Sequence, residues 1–181
     1  MILLPFRRST QKRSIAALYG MIVAQARLKA FYAIYGVPDT VEGRFDLLVL
    51  HLVLLLRRLA RQEGPGRKLG QGLFDAFCRD LDDNLREMGI GDLAVPKRMR
   101  RFAEAFYGRQ AAYLSALEAP DREAFENALE RNIFAASGVE GRAARLARYA
   151  RAIAVHLDAQ EDASLIRGEV VLPGPEAFIH E

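Results

Sequence analysis

Hydrophobic positions in this chain recur every three or four residues almost from end to end, the spacing that places side chains on one face of an α-helix. Leu28, Phe31, Tyr32 and Tyr35 follow this spacing, as do Leu73, Phe77, Leu81, Leu85 and Met88, then Phe102, Phe106, Tyr113 and Leu117, then Leu146, Tyr149 and Ile153. No run of β-branched residues alternates over a strand length before the C-terminus, so the pattern predicts an all-α, single-domain bundle of about six helices.

The first helix is placed at 11–35, stopped by Gly36 and Pro38, and the second at 41–62. The middle of the second, "LLVLHLVLLL", is apolar on every side, so other helices must surround it and it forms the axis of the bundle. At ten residues it is too short for the roughly 20 needed to span a bilayer. "EGPGRKLGQG" at 63–72 is expected to be a mobile glycine-rich loop, followed by a third helix that Gly89 ends. Asp92 and Pro96 open a fourth, running to Leu117. A fifth reaches Ala136 and stops at Gly138, and a sixth occupies 140–160. After Arg167 the glycines and prolines leave only a short extended piece at 170–172.

The expected division is a basic N-terminal arm at 1–13, an all-α domain at 14–160 and an irregular tail at 161–181. Charge sharpens this picture: the net charge is only +3, but Arg7, Arg8, Lys12, Arg13, Arg27 and Lys29 all precede the first acid, Asp39. Such an arm suits nucleic acid, anionic lipid or an acidic partner. Residues 7–26 imitate a secretory signal, yet the helical pattern continues unbroken past Ala26, so the segment is read as part of the fold. The single cysteine, Cys78, excludes an internal disulfide.

Candidate chemistry is thin. "GIGD" at 89–92 lacks a preceding strand and a Gly-Lys-Ser/Thr, and "GPGRKLGQG" fails in the same way, so neither is a phosphate loop. "DLDDNLRE" resembles an Asp-Asp-x-x-Asp magnesium motif, but Arg86 occupies the last position, and an acidic solvated face is the expectation. Cys78 lies in an apolar stretch beside Phe74 and Phe77. His51 is read as a hydrogen-bonded core histidine, with ligand or switch as the alternative. His156 and His180 pair with no acid by spacing. No catalytic group, metal or cofactor is expected.

Basic residues are the stronger signal. Lys97, Arg98, Arg100 and Arg101 open a helix, where the dipole favours acids. Arg142, Arg145, Arg148 and Arg151 form a row on the sixth helix, read either as a solvated face paired with acids or as a docking surface for RNA, acidic lipid or acidic protein.

"GRFDLLVLHLVLLLRRL", "LDDNLREMGIGDLAVPKRMR" and "FAEAFYGRQAAYLSAL", in this order and at these separations, resemble the ubiquinol–cytochrome c chaperone family, bacterial relatives of the mitochondrial assembly factor for cytochrome b. The resemblance covers about 14–157. It rests on Phe45, Asp46, His51, Arg57 and Leu59, on Asp82, Arg86, Glu87, Met88, Gly89, Gly91, Asp92, Pro96 and Lys97, and on Phe106, Tyr107, Gly108, Arg109 and Tyr113. It implies a non-enzymatic chaperone that binds newly made cytochrome b and supports assembly of the cytochrome bc1 complex. It further implies work beside the ribosome and an anionic inner membrane, at the cytoplasmic face in a bacterium or the matrix side in a mitochondrion. A small partner protein is also implied, and no DNA.

On that basis the expected client surface is an aromatic-lined groove with Tyr32, Tyr35, Tyr107 and Tyr113 in its walls, next to Lys97, Arg98, Arg100, Arg101 and Arg109. Arg86, Asp92 and Arg109 are expected to lock the corner at 89–97 by ion pairing. The rival readings are an all-α lipid- or quinone-binding protein, an RNA- or ribosome-binding adaptor, and a magnesium-dependent prenyl enzyme using Asp80, Asp82 and Asp83.

Overall fold

The computed structural model describes the backbone of residues 4–135 and 141–179, and the side chains of residues 10–135 and 141–179. The expected end of the fifth helix at Ala136 and Gly138, the start of the sixth at Glu140, and the side chains of Arg7, Arg8 and His180 lie outside the described residues. Within them the chain forms helices and no strand: α1 (Leu4–Ala26), α2 (Lys29–Ala33), α3 (Val41–Ala60), α4 (Pro65–Glu87), α5 (Val95–Glu118), α6 (Arg122–Ile133), α7 (Arg142–Asp158) and α8 (Asp162–Arg167), then a 3-10 turn, Pro175–Phe178.

α3 is the axis: α1, α4, α5, α6 and α7 all pack against it, and the run Leu50 to Leu55 is buried without interruption. Thr40 caps its start, accepting from the Gly43 backbone N–H at 3.1 Å. A Cβ on Gly43 would lie 2.1 Å from the Pro38 carbonyl oxygen, so the turn into α3 closes only over a glycine. Gly43→Ala is therefore expected to cost about 2 kcal/mol through a displaced first turn, measurable as a lowered urea midpoint at unchanged slope.

Two expectations fail for tertiary reasons. The glycine-rich stretch is not a loop, because α4 begins at Pro65, directly after Gly64 (φ 61°). Its glycines are contact points: a Cβ on Gly72 would meet Ile15 of α1 at 2.4 Å, and Gly70 lies against Leu56 and Leu59 of α3. Glycine costs α4 roughly 1 kcal/mol per residue in helix propensity, which the close approach of α1 and α3 offsets.

The first helix is not continuous to Tyr35. It breaks after Ala26, whose carbonyl accepts the Tyr32 hydroxyl at 2.6 Å, and Leu28 takes an extended conformation before α2. The break turns Phe31 and Tyr35 into the core, where Phe31 meets His51 and Tyr149 edge-on, at centroid distances of 5.5 and 4.9 Å.

The tail is ordered against the bundle rather than separate from it. α8 packs on α1 and α4. Pro173 and Pro175 carbonyls accept Gln25 and Tyr35, His156 donates to the Val171 carbonyl at 2.9 Å, and residues 170–172 form no strand. At the far end of α3, Arg57 holds Asp158 through both guanidinium nitrogens. Arg58 reaches the Leu157 and Gln160 carbonyls and Asp162. These bonds satisfy the C-terminal carbonyls of α7 and fix α3, α7 and α8 to one another.

A groove between four helix ends

Four helices diverge at the end of the bundle opposite the Arg57–Asp158 contact and leave an open groove of about 840 Å³. The end of α1 supplies Val23, Ala26 and Arg27, and the start of α3 supplies Val41, Glu42, Arg44, Phe45, Asp46 and Leu48. The end of α4 adds Asp80, Leu81, Asn84, Leu85 and Met88, and the start of α5 adds Arg98, Arg101, Phe102, Ala105 and Arg109. The floor is apolar and aromatic: Phe45 lies 5.1 Å from Phe102 and 6.1 Å from Phe77, centroid to centroid. Met88 and Val41 on the wall are 67% and 73% exposed. An apolar surface open to water at this scale is a mark of a binding site rather than of a finished core.

One buried ion pair stands in the floor. Arg109 reaches Asp46 at 2.8 Å, both largely withdrawn from solvent. Burial pushes the Asp46 carboxyl up to about 6, and the Arg109 guanidinium only partly restrains it. The Tyr113 hydroxyl lies behind this pair and is fully buried with no hydrogen-bond partner among the described residues. Burial first, and then the Asp46 charge, hold its pKa above the ordinary tyrosine value.

The rim is cationic. Arg44 is tied to Asp39 at 2.7 Å and lies over the Tyr32 ring. Arg27, Lys97, Arg98, Arg100 and Arg101 form no ion pair among the described residues, and of these Arg27, Arg98 and Arg101 face the groove. The first turn of α5 contains no acid.

The four tyrosines expected to line a groove do not share one. Tyr35 is buried and donates to the Pro175 carbonyl at 2.7 Å. Tyr113 is equally inaccessible, so neither has surface to offer a client. Both follow the helical apolar stripe, and a fully packed bundle interior draws them in. Tyr32 is half-buried behind the rim, its hydroxyl spent on Ala26. Tyr107 is 55% exposed but lies outside the groove, its ring against Phe74 and Phe106.

The corner between α4 and α5 is held by Arg86, which pairs with Asp82 and Asp92, while Gly89 (φ 75°) ends α4 and Pro96 sits in the first turn of α5. Arg109 takes no part in that lock, since it points into the groove floor and joins α5 to α3. Glu87 and Gly91 are exposed on the corner, with Leu93 at its tip, 98% exposed.

His51 has both ring nitrogens engaged: Nδ1–H donates to the Leu47 carbonyl, and Nε2 accepts the Tyr149 hydroxyl, each at 2.7 Å. Tyr149 in turn accepts Gln25 at 3.0 Å.

The arginine row on α7 is engaged with backbone carbonyls of neighbouring elements. Arg142 donates to the Gly36 carbonyl and Arg145 to that of Ile34, just past α2. Arg151 reaches Ala116 and Leu117 at the end of α5 and lies over the Phe125 ring. Only Arg148 is exposed. The row caps the C-termini of two neighbouring helices, where cations are favoured.

Among the described residues no group of His, Cys, Asp and Glu is placed to hold a metal ion, and no helix is long and apolar enough to cross a membrane. In the sequence Phe45 and Asp46 read as structural, Arg27 only as part of a basic segment, Leu81 only as part of a helical stripe and Val41 only as a helix start. The available signal was Met88, one turn beyond the last buried leucine of its stripe.

Comparisons with known proteins agree on one group. A family model described as ubiquinol-cytochrome C chaperone matches residues 33–172. A protein of Xenopus laevis named ubiquinol-cytochrome-c reductase complex assembly factor 1 is 26% identical over 120 residues, 65% of this chain and 60% of that protein. The Mus musculus protein of the same name is 25% identical over 111 residues, 60% of this chain and 38% of that protein. The chain thus spans less than two thirds of the length of these relatives. The crystal structure of the Cbp3 homolog from Brucella abortus superposes with a TM-score of 0.89 at 39% identity, covering 98% of this chain and 99% of that one.

Proposed function

The chain belongs to the ubiquinol–cytochrome c chaperone family, and from that premise we propose that it is an assembly chaperone of the cytochrome bc1 complex that holds a segment of newly made cytochrome b in the groove between α1, α3, α4 and α5. The observation that carries this reading is the groove itself: an apolar, aromatic floor, in a groove of about 840 Å³ open to water, with Arg27, Arg98 and Arg101 on its rim forming no ion pair among the described residues. A client segment whose apolar side chains would otherwise aggregate gains a dry contact along Phe45, Leu81 and Phe102. The rigid frame around that floor, fixed by Asp46–Arg109 and by Arg86 at the corner, presents the contact without prior ordering cost.

The relatives' names support the bc1 assembly role, and the work is non-enzymatic, with binding as the whole of the chemistry. In this reading the protein acts at the inner membrane as a peripheral partner, and the cations at the start of α5 face the ribosome or anionic lipid. The test is photo-crosslinking in cells, with a crosslinking residue at Met88 inside the groove or at Tyr107 outside it. Cytochrome b is expected on Met88 and not on Tyr107. Capture at Tyr107 alone would move the client surface to the opposite face of α5, and recovery of only RNA or lipid at both sites would overturn the chaperone reading.

A further inference from the structure

Charge around the groove is not balanced among the described residues. Arginines 27, 44, 98, 101 and 109 line it against Glu42, Asp46 and Asp80. Asp46 is taken by Arg109, and Arg44 is held by Asp39 outside the wall. Asp80 accepts the Tyr19 hydroxyl at 2.8 Å, while Glu42 sits in the first turn of α3, where a helix itself favours a carboxylate.

Arg98 and Arg101 stand at the opposite kind of place. They occupy the opening turns of a 24-residue helix with no acid in its first turn, beside Lys97 and Arg100. Lys97 and Arg98, in the first turn, are disfavoured by the helix dipole, Arg101 follows one turn on, and no carboxylate of the described residues pairs with any of the four. The cost is recovered when an anionic group enters the groove mouth, because such a group is attracted by both guanidiniums and by the N-terminal dipole together. Next to that mouth, Phe102 and Met88 offer apolar contact, so the same occupant must carry hydrophobic side chains adjacent to its negative charge.

We propose that the groove selects among client segments by charge: it takes a peptide whose apolar run is flanked by Asp or Glu, and it rejects the same run flanked by Lys or Arg, with Arg98 and Arg101 as the discriminating residues. This inference rests on the client-groove reading above and adds to it the chemical class of segment recognised.

The experiment uses the full chain and fluorescein-labelled peptides that share one Leu/Ala core and carry Asp, Ser or Lys pairs at the ends, read by anisotropy. The Asp-flanked peptide is expected to bind about tenfold tighter than the Lys-flanked one at low salt, with the difference shrinking as added salt screens the exposed charges. In the double variant Arg98→Glu, Arg101→Glu the order of the two peptides reverses. Equal affinity for all three peptides would overturn charge selection while leaving the groove as a client site. Binding of none of them would overturn both. Association with phosphatidylglycerol vesicles that excludes the Asp-flanked peptide would assign the arginines to a lipid headgroup and overturn the proposal as well.

Discussion

Replacing Arg109 with leucine lowers the folding stability by about 3–5 kcal/mol at pH 8, the loss expected when one partner of a buried ion pair is removed and the other is left behind. The remaining partner is Asp46, whose carboxyl is already pushed up to about 6 by burial while Arg109 draws it back. Without the guanidinium it moves further up. The sign of the pH effect follows: the folded-state pKa lies above the unfolded value of roughly 3.9, so the native state takes up the proton first. The stabilising contribution of that proton is complete below the unfolded pKa and is lost as pH rises through the folded one. The deficit of Arg109→Leu should therefore be largest at pH 8 and shrink markedly by pH 5. Urea melts at the two pH values measure it, with Asp46→Asn, Arg109→Leu as the partner variant that recovers much of the loss. An equal deficit at both pH values would mean that Arg109 contributes packing rather than charge.

Acidification tests the second buried titratable group. Burial takes the His51 imidazole down to about 4, an effect that the hydrogen bond to the Leu47 carbonyl only partly counters. In the unfolded chain a histidine titrates near roughly 6.5, so here the unfolded state takes up the proton first. The contribution of neutral His51 is whole above pH 6.5 and is lost as pH falls through 4, about 3 kcal/mol in all. The hydrogen bonds fit the neutral ring: a second ring N–H would leave Tyr149 facing donors from both His51 and Gln25.

Asp46 acts in the opposite sense across most of the same interval, because it gains stability as pH falls through 6. The two slopes offset one another in the natural chain. Asp46→Asn removes one of them, so its stability should fall between pH 6 and pH 4 more steeply than that of the natural chain, by about one proton's worth, roughly 1.4 kcal/mol per pH unit. Chemical denaturation across that range reads the slope directly, and parallel profiles for the two proteins would show that the Asp46 carboxyl is not raised by burial.

Both predictions concern residues that the sequence marked without explaining. Asp46, His51 and Arg109 lie in the segments that carry the family resemblance, yet spacing along a helix says only which face a residue shares. It does not say which helix meets that face. The pairing of Arg109 with Asp46, rather than with the corner, depends on α5 crossing α3 at that height.

What the sequence determined by itself was local. Periodicity of the apolar residues set the helical class, the continuous run at 47–56 identified α3 as the axis, and glycine and proline marked the corner between α4 and α5. These features depend on residues a few positions apart, and one-dimensional spacing records them. Only the tertiary structure decided the rest. Gly70 and Gly72 proved to be helix contacts because α3 and α1 pack against α4 there. Tyr35 and Tyr113 went to the core, and the α7 arginines became caps for α2 and α5. The groove exists because four helix ends diverge, and its lining comes from residues 23–109 that no single periodic face contains. Packing joins positions that are distant in the chain, and the free energy that selects among possible contacts belongs to the assembled bundle rather than to any one helix.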